Sequence, residues 1–462
     1  MSVLEHFRTA CTTGKTQRVK QLLNDPSFDP NFQNSFGETP FFIACRSQHY
    51  EVLEVLCNDQ RVNINKANQD GLTPLFLACQ KGYVRIVELL LKCERIDLNI
   101  PSNFDLTPLS IACCNGHIEI MKLLLLDDKR IDVNQLNQSG ATPFYIACFQ
   151  GHIEIVKLLL NDERIDVNKP NRNEETPFFI ACKEGCIEIV KLLLNDKRID
   201  VNKADQCGTP IDIACKKGQT EIVKLLLNNE RVDINKNNYG ETPFYAACEK
   251  GEIGIVKILL KDERIDVNKS NKYGATPLYA VCKEGCIEVV QLLLNDERID
   301  VNKPNNEGRT PFFAACQNGH IEIIKLLLND ERINVNISNK NGETVLYAAC
   351  EQGKIEAVKL LLNDKRVDVN NPKGYGSTPI VIACFYGHIE IVKHMLASGK
   401  VDLNAKEING NTAISIAKNR LKQGKMPWEK VEQFEKRKTN HPKIVKLLES
   451  FERNPNQTII EL

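Results

Sequence analysis

Hydrophobic residues recur along the chain in paired runs. In Thr142 to Glu175, TPFYIACFQGHIEIVKLLLNDERIDVNKPNRNEE, an apolar run follows Thr-Pro and a glycine interrupts it. A second run then sets Ile153, Val156, Leu159 and Leu160 at helical intervals, with Glu154 and Lys157 facing out. The pattern predicts a first helix capped by the Thr142 hydroxyl, with Pro143 at the first helical position, where a missing N–H costs nothing. It runs to about Gln150, where Gly151 supplies the left-handed residue that ends a helix. A second helix follows at once. DERIDVNKPNRNEE then loses the helical period and gathers Asn, Asp and Pro, which predicts a projecting turn or hairpin, here called a finger.

The unit repeats. Its threonine, most often as Thr-Pro, stands at Thr39, Thr73, Thr107, Thr142, Thr176, Thr209, Thr242, Thr276, Thr310, Thr344, Thr378 and Thr412, at spacings of 33 to 35 residues. A degenerate copy opens the chain, where Ala10-Cys11 and Leu22-Leu23 fall as Ala44-Cys45 and Leu56-Cys57 do in the next. Two short helices and a finger cannot bury their apolar faces alone, but stacked copies can. The expected fold is therefore an all-α solenoid of about thirteen helix-turn-helix units with β-hairpin-like fingers. Residues 1–38 form a degenerate N-terminal capping repeat, 39–411 eleven repeats, 412–450 a C-terminal capping repeat with a helical insertion, and 451–462 a tail.

With its TPFYIAC-type first helix and GH-started second helix, the chain resembles the ankyrin repeat family over residues 1 to about 450. It departs from the family pattern in three places. Aromatics replace the family's His after Thr-Pro-Leu, Cys replaces the second Ala, and a DERID-type turn without glycine replaces Gly-Ala-Asp. The resemblance implies a non-catalytic scaffold or adaptor that binds a partner protein on its concave face, formed by first helices and fingers.

Composition narrows the alternatives. Of the 462 residues 42% are apolar and 26% charged, enough for a folded core. Sixty basic residues balance sixty acidic ones, which disfavours a globally basic nucleic-acid binder. The opening MSVLEHFRTACTTGK lacks the layout of a signal peptide, and no apolar run approaches the roughly 20 residues that span a bilayer. The expectation is a soluble cytoplasmic protein, nuclear as well if its C-terminal basic segment is a targeting signal. No GxxxxGK[ST], HExxH or GxSxG motif occurs, so no enzyme activity, cofactor or small-molecule substrate is expected.

Residues that share a slot of the repeat are read as structural. Twelve of the 18 cysteines do so: Cys11, Cys45, Cys79, Cys113, Cys148, Cys182, Cys215, Cys248, Cys282, Cys316, Cys350 and Cys384. No CxxC pair is present to hold zinc, so these are small apolar residues in a tight seam rather than a metal or disulfide framework. His49, His117, His152, His320 and His388 share the slot that opens the second helix. Arginine recurs from Arg61 through Arg95, Arg130, Arg164, Arg198, Arg231, Arg264, Arg298 and Arg332 to Arg366. It could form a phosphate-binding stripe, but the neighbouring acidic residues favour an alternating-sign surface ladder. The Asn of the DVN turn, as at Asn168, Asn202 and Asn268, resembles a position hydroxylated in some ankyrin proteins and is read as an ordinary turn residue.

The varying slots are the candidates for binding. They are the residue before Thr, as at Arg309, and the pair closing the first helix: Glu249-Lys250, Lys283-Glu284, Gln317-Asn318 and Glu351-Gln352. Three residues after Thr stand Tyr245, Tyr279, Phe313 and Tyr347, on the same helix face as the varying slot four residues on. They form either an exposed stripe that anchors a bound peptide or packing between repeats. The aromatic slot breaks at Ser110, Asp212, Val381 and Ser415. Around Asp212 the finger is also one residue short, which predicts the weakest junction and a hinge over residues 195–235.

The last copy is irregular. About 19 extra residues separate its first helix from HPKIVKLLESFE, and Pro427 could start a helix carrying Trp428, Val431 and Phe434 on one side. Between Lys418 and Lys446 ten basic residues face three acidic ones. Three readings compete: a cap over the last repeat, an anchor helix for a partner centred on Trp428, or a nuclear-targeting or nucleic-acid patch at Lys436-Arg437-Lys438.

Overall fold

The computed structural model describes residues 3–126, 130–236, 240–427 and 430–461. They divide into two compact units, Met1–Asp233 and Ile234–Leu462. Among them, regular structure is helical apart from one bridge between Asp205 and Gly208. Within each unit, first helices stack on first helices and second helices on second.

One copy shows how the sequence sets the fold. Pro143–Gln150 is the first helix, and the Thr142 hydroxyl accepts from the Tyr145 N–H at 3.1 Å. Gly151 follows with φ +78°, and Ile153–Leu160 is the second helix. The glycine has a second duty, because the next copy's histidine packs against it. A Cβ on Gly285 would stand 2.8 Å from the His320 ring. That ring reaches the Lys283 carbonyl at 2.9 Å, and His49, His117, His152 and His388 reach Thr12, Gln80, Cys114 and Glu351 at 2.8 to 3.1 Å. In these five copies the histidine is thus a staple to the preceding first helix.

Arginine does more than alternate in sign. Arg198 donates to the Leu160 carbonyl at 2.7 Å, Arg231 to Leu194 at 2.6 Å, Arg332 to Leu294 at 2.7 Å and Arg366 to Leu328 at 2.7 Å. Each guanidinium caps the end of the preceding copy's second helix, where unpaired carbonyls and the negative end of the helix dipole favour a cation. Asp196, Asp330 and Asp364 hold their arginines at 2.6 to 2.7 Å. The hydrogen bond from arginine keeps these carboxyls below the ordinary aspartate range. With its donors committed in this way, the row is not a free phosphate-binding stripe.

The DVN asparagines form a ladder. Asn302 donates to the Arg332 carbonyl at 2.7 Å and accepts from the Asn334 N–H at 2.9 Å. Asn168, Asn202 and Asn268 use both ends of their amides in the same way.

All twelve slot cysteines are buried and free. Cys45 directs its thiol to the Pro74 carbonyl at 3.3 Å, where the next first helix begins. Burial pushes the Cys11 and Cys45 thiols up to about 12 and raises Cys79, Cys148, Cys282 and Cys316 as well, so the reactive thiolate is scarce at neutral pH. Cys207 is exposed on the short finger. Native maleimide labelling followed by peptide mass spectrometry should modify Cys207 first and reach the twelve slot cysteines only on unfolding. Rapid native labelling of Cys148 or Cys316 would contradict the buried seam.

The polar breaks in the aromatic slot are paired. Asp212 is buried, and its Oδ2 accepts from the Thr209 N–H at 2.6 Å and hydroxyl at 2.8 Å, forming a capping box. Ser415 does the same for Thr412 at 2.8 Å. The penalty expected for an unpaired group beside Asp212 does not arise at that carboxylate oxygen.

At the chain start, Val3–Thr12 and Thr16–Leu23 are joined by Gly14, with Phe7, Phe28 and Phe32 rings clustered 4.7 to 6.3 Å apart. The other end differs from the expectation of a separate helix begun by Pro427. Ala413–Lys422 is followed by one 23-residue helix, Val431–Arg453, with Pro442 inside it. The expected tail is also helical, and Pro455–Glu461 packs on Val431–Arg453 and Ile389–Ala397. His441 is fully buried with its ring against Gly387, where a Cβ would meet it at 2.8 Å. It therefore fills the histidine slot despite the insertion. Arg420 and Arg437 are buried too. Arg437 donates to the carbonyls of Arg420 at 2.5 Å, Gln423 at 3.3 Å and Gly424 at 3.0 Å. The middle residue of Lys436-Arg437-Lys438 is thus a helix-end contact and not part of an open basic patch.

Candidate interaction surface

The aromatic slot is buried. Tyr245, Tyr279, Phe313 and Tyr347 are 1% to 8% exposed, so the rings do not form the open stripe weighed in the sequence. Four-residue spacing puts them on the face of the varying slot, but the next copy's finger covers them. Tyr245, Tyr279, Ala275, Ala280 and Ala314 make one apolar cluster, and the Tyr245 hydroxyl accepts from Asn271 in the following finger at 3.0 Å. Tyr279 packs with Ala280 and Ala314, and the Lys373 ammonium of the following finger lies over the Tyr347 ring. These aromatics lock fingers to first helices.

The polar residues above them complete the lock. In the N-terminal unit the Glu175 carboxylate accepts from the Tyr145 hydroxyl at 2.9 Å, from the Asn171 amide at 2.8 Å and from the Lys183 ammonium at 2.6 Å. Burial pushes the Glu175 carboxyl up, but the hydrogen bonds from Lys183, Asn171 and Tyr145 outweigh it and leave the group below its ordinary range. In the C-terminal unit Lys373 bonds Glu343 at 2.6 Å while lying 5.3 Å from the centre of the Tyr347 ring. Arg309 is half-buried; it lies over the Phe313 ring at 5.6 Å and pairs with Glu307 at 3.0 Å. The slot before Thr is therefore partly structural.

The closing pairs are open. Lys250, Lys283, Glu284, Asn318 and Gln352 are exposed, and Glu249, Gln317 and Glu351 are half-buried at the ends of their helices. Lys250 pairs with Glu249 at 3.7 Å and Lys283 with Glu284 at 2.9 Å, contacts that solvent weakens. Trp428 lies outside the described residues. Among the described residues no group of three or more metal-ligating side chains occurs, and no helix is long and apolar enough to cross a membrane.

The sequence reading missed the fingertips. Three residues before Thr, Phe36 and Phe104 in the N-terminal unit and Tyr273 and Tyr375 in the C-terminal unit are 63% to 69% exposed. The signal was present in the sequence as a large aromatic beside the turn residues of a finger, but it lies outside the slots compared there.

Comparison with known proteins agrees with this architecture. A sequence model described as ankyrin repeats (3 copies) matches residues 7–102, 60–137, 109–205, 198–271, 263–339 and 331–407. No curated protein sequence matches. Among solved structures, the chain is similar to the ankyrin repeat domain of Bcl-3, described as a unique member of the IkappaB protein family. The identity is 22% over 45% of this chain and 93% of that one, with a TM-score of 0.42. Ankyrin repeats generally mediate protein–protein interaction and are typically non-enzymatic modules. With repeat after repeat matched from residue 7 to residue 407, the protein belongs to the ankyrin repeat family.

Proposed function

We propose that the protein is a non-catalytic scaffold or adaptor that binds a partner protein on the surface made by the ends of its first helices and by its fingers. The observation that carries this reading is a division of labour within each copy. The repeated polar residues are committed to neighbouring copies, as Arg332, Asn302 and His320 are, whereas Lys250, Lys283, Glu284, Asn318 and Gln352 are exposed and differ from copy to copy. A surface prearranged by such a frame avoids much of the ordering cost a flexible binder meets.

The test is affinity purification from the native cell with the intact chain and with Lys250, Lys283, Glu284, Asn318 and Gln352 all changed to Ser. Because these side chains are exposed, the unfolding midpoint should change little. Loss of partners from the folded variant is the expected result. Recovery of the same partners at the same yield would place binding elsewhere.

A further inference from the structure

The finger row of the C-terminal unit carries a chemistry of its own. Its tips are Tyr273, Glu307, Asn341 and Tyr375, followed by Ile408, and backbone bonds tie three of these turns to the one before. The Asn306 N–H reaches the Tyr273 carbonyl, Lys340 reaches Glu307 and Ile408 reaches Tyr375, all at 2.9 Å. The rings of Tyr273 and Tyr375, 63% and 69% exposed, are therefore mounted on fixed backbone, and the Lys272 ammonium stands 5.1 Å from the centre of the Tyr273 ring.

The charges beside these tips are not balanced. Lys269, Lys272, Lys340 and Lys406 are exposed, and among the described residues no carboxylate is within ion-pair reach of any of them. The acidic side chains nearby are already engaged, Glu343 by Lys373 at 2.6 Å and Glu307 by Arg309 at 3.0 Å. The N-terminal unit is mixed, with Asp70, Asp105 and Glu174 exposed on its fingers beside Lys66, Lys169 and Arg172. Exposed phenol rings among unpaired ammonium groups match a ligand that offers carboxylates and apolar side chains together.

We propose that this finger row binds an extended acidic segment of a partner protein, its carboxylates meeting Lys272, Lys340 and Lys406 and its apolar residues lying against Tyr273 and Tyr375. This deepens the interaction reading above and rests on it. Stacked helices lie about 8–10 Å apart and an extended chain rises about 3.3 Å per residue, so one finger corresponds to about three residues of ligand. Carboxylates about six residues apart then meet Lys272 and Lys340, and apolar residues about nine apart meet the two tyrosines. Single-stranded nucleic acid fits less well. Stacking of successive bases needs successive aromatic platforms, and the two fingers between the tyrosines present Glu307 and Asn341.

The experiment measures fluorescence anisotropy of the full chain with a labelled peptide of about twelve residues, built of Asp, Glu and Ala with two Phe about nine positions apart. Its comparators are the same peptide with Asn and Gln for the acids, and a labelled oligouridylate. The acidic peptide should bind at least about tenfold more tightly than either comparator. Lys272→Glu with Lys340→Glu and Lys406→Glu should weaken it at least about tenfold, and Tyr273→Ala with Tyr375→Ala about fivefold, with unfolding midpoints unchanged. Equal binding of the acidic and amide peptides overturns the proposal. So does oligouridylate binding that is as tight and as lysine-dependent, or concentration-dependent self-association that occupies the surface. Should the acidic peptide fail while the closing-pair variant still loses its cellular partners, only this inference falls. Should that variant keep its partners as well, the scaffold reading falls with it.

Discussion

A chain carrying Tyr279→Ala and Phe313→Ala should lose most of the helicity of its C-terminal unit rather than merely a binding activity. Both rings are buried, at 8% and 1% exposure, and each is enclosed by neighbouring copies. Truncating a buried aromatic to Ala costs about 3–5 kcal/mol because the cavity collapses only partly. Neighbouring sites do not add simply, but even about 5 kcal/mol in total is comparable to the whole stability of many domains. Phe313→Ala also removes the ring beneath the Arg309 guanidinium. Far-UV circular dichroism across a guanidinium titration checks the result. Native helicity and an unchanged midpoint in the double variant would return the rings to the role of exposed anchors.

Arg437→Ala should destabilise the C-terminal end of the chain by about 3 kcal/mol, since hydrogen bonds to a charged group contribute about 1.5–3 kcal/mol and the Arg420 carbonyl left behind is buried with it. Its guanidinium holds the carbonyls of Arg420, Gln423 and Gly424, which end the helix Ala413–Lys422. Lysine presents no planar fork, so Arg437→Lys should recover little of the loss. Hydrogen exchange should show the change first in residues 413–422 and 431–441. A variant of unchanged stability whose binding to nucleic acid became weaker and less salt-dependent would instead restore the basic-patch reading of Lys436-Arg437-Lys438.

What the sequence made legible is what its own local spacing encodes. The Thr cap, the Pro at the first position and the glycine that stops the helix act within a turn or two, and Pro143–Gln150 and Ile153–Leu160 stand where the pattern puts them. The shared slot of the cysteines pointed to a buried seam for the same reason. Contacts that reach a whole copy away leave no local trace. The arginine row reads as surface charge until Arg198 is seen against the Leu160 carbonyl, 38 positions earlier, and backbone acceptors have no residue signature. Spacing placed Tyr279 on the face of the varying slot, yet could not show that it would be buried among Ala275, Ala280 and Ala314. At the C-terminus, Pro427 suggested a separate helix, and the structure instead carries one helix from Val431 through Pro442 while His441 keeps its slot against Gly387.

The asparagine ladder also bears on how such a chain can change its length. Asn268 reads the Arg298 carbonyl and the Asp300 N–H with the same two atoms that Asn302 turns on Arg332 and Asn334. Every copy is therefore plug on one side and socket on the other, and neither half depends on which copy it meets. Duplicating or deleting one whole module within a unit leaves every rung with a partner, whereas a cut at any other period would strand donors and acceptors along the seam. Growth by whole modules keeps the joints unchanged and leaves the exposed tips free to diverge, one binding preference at a time.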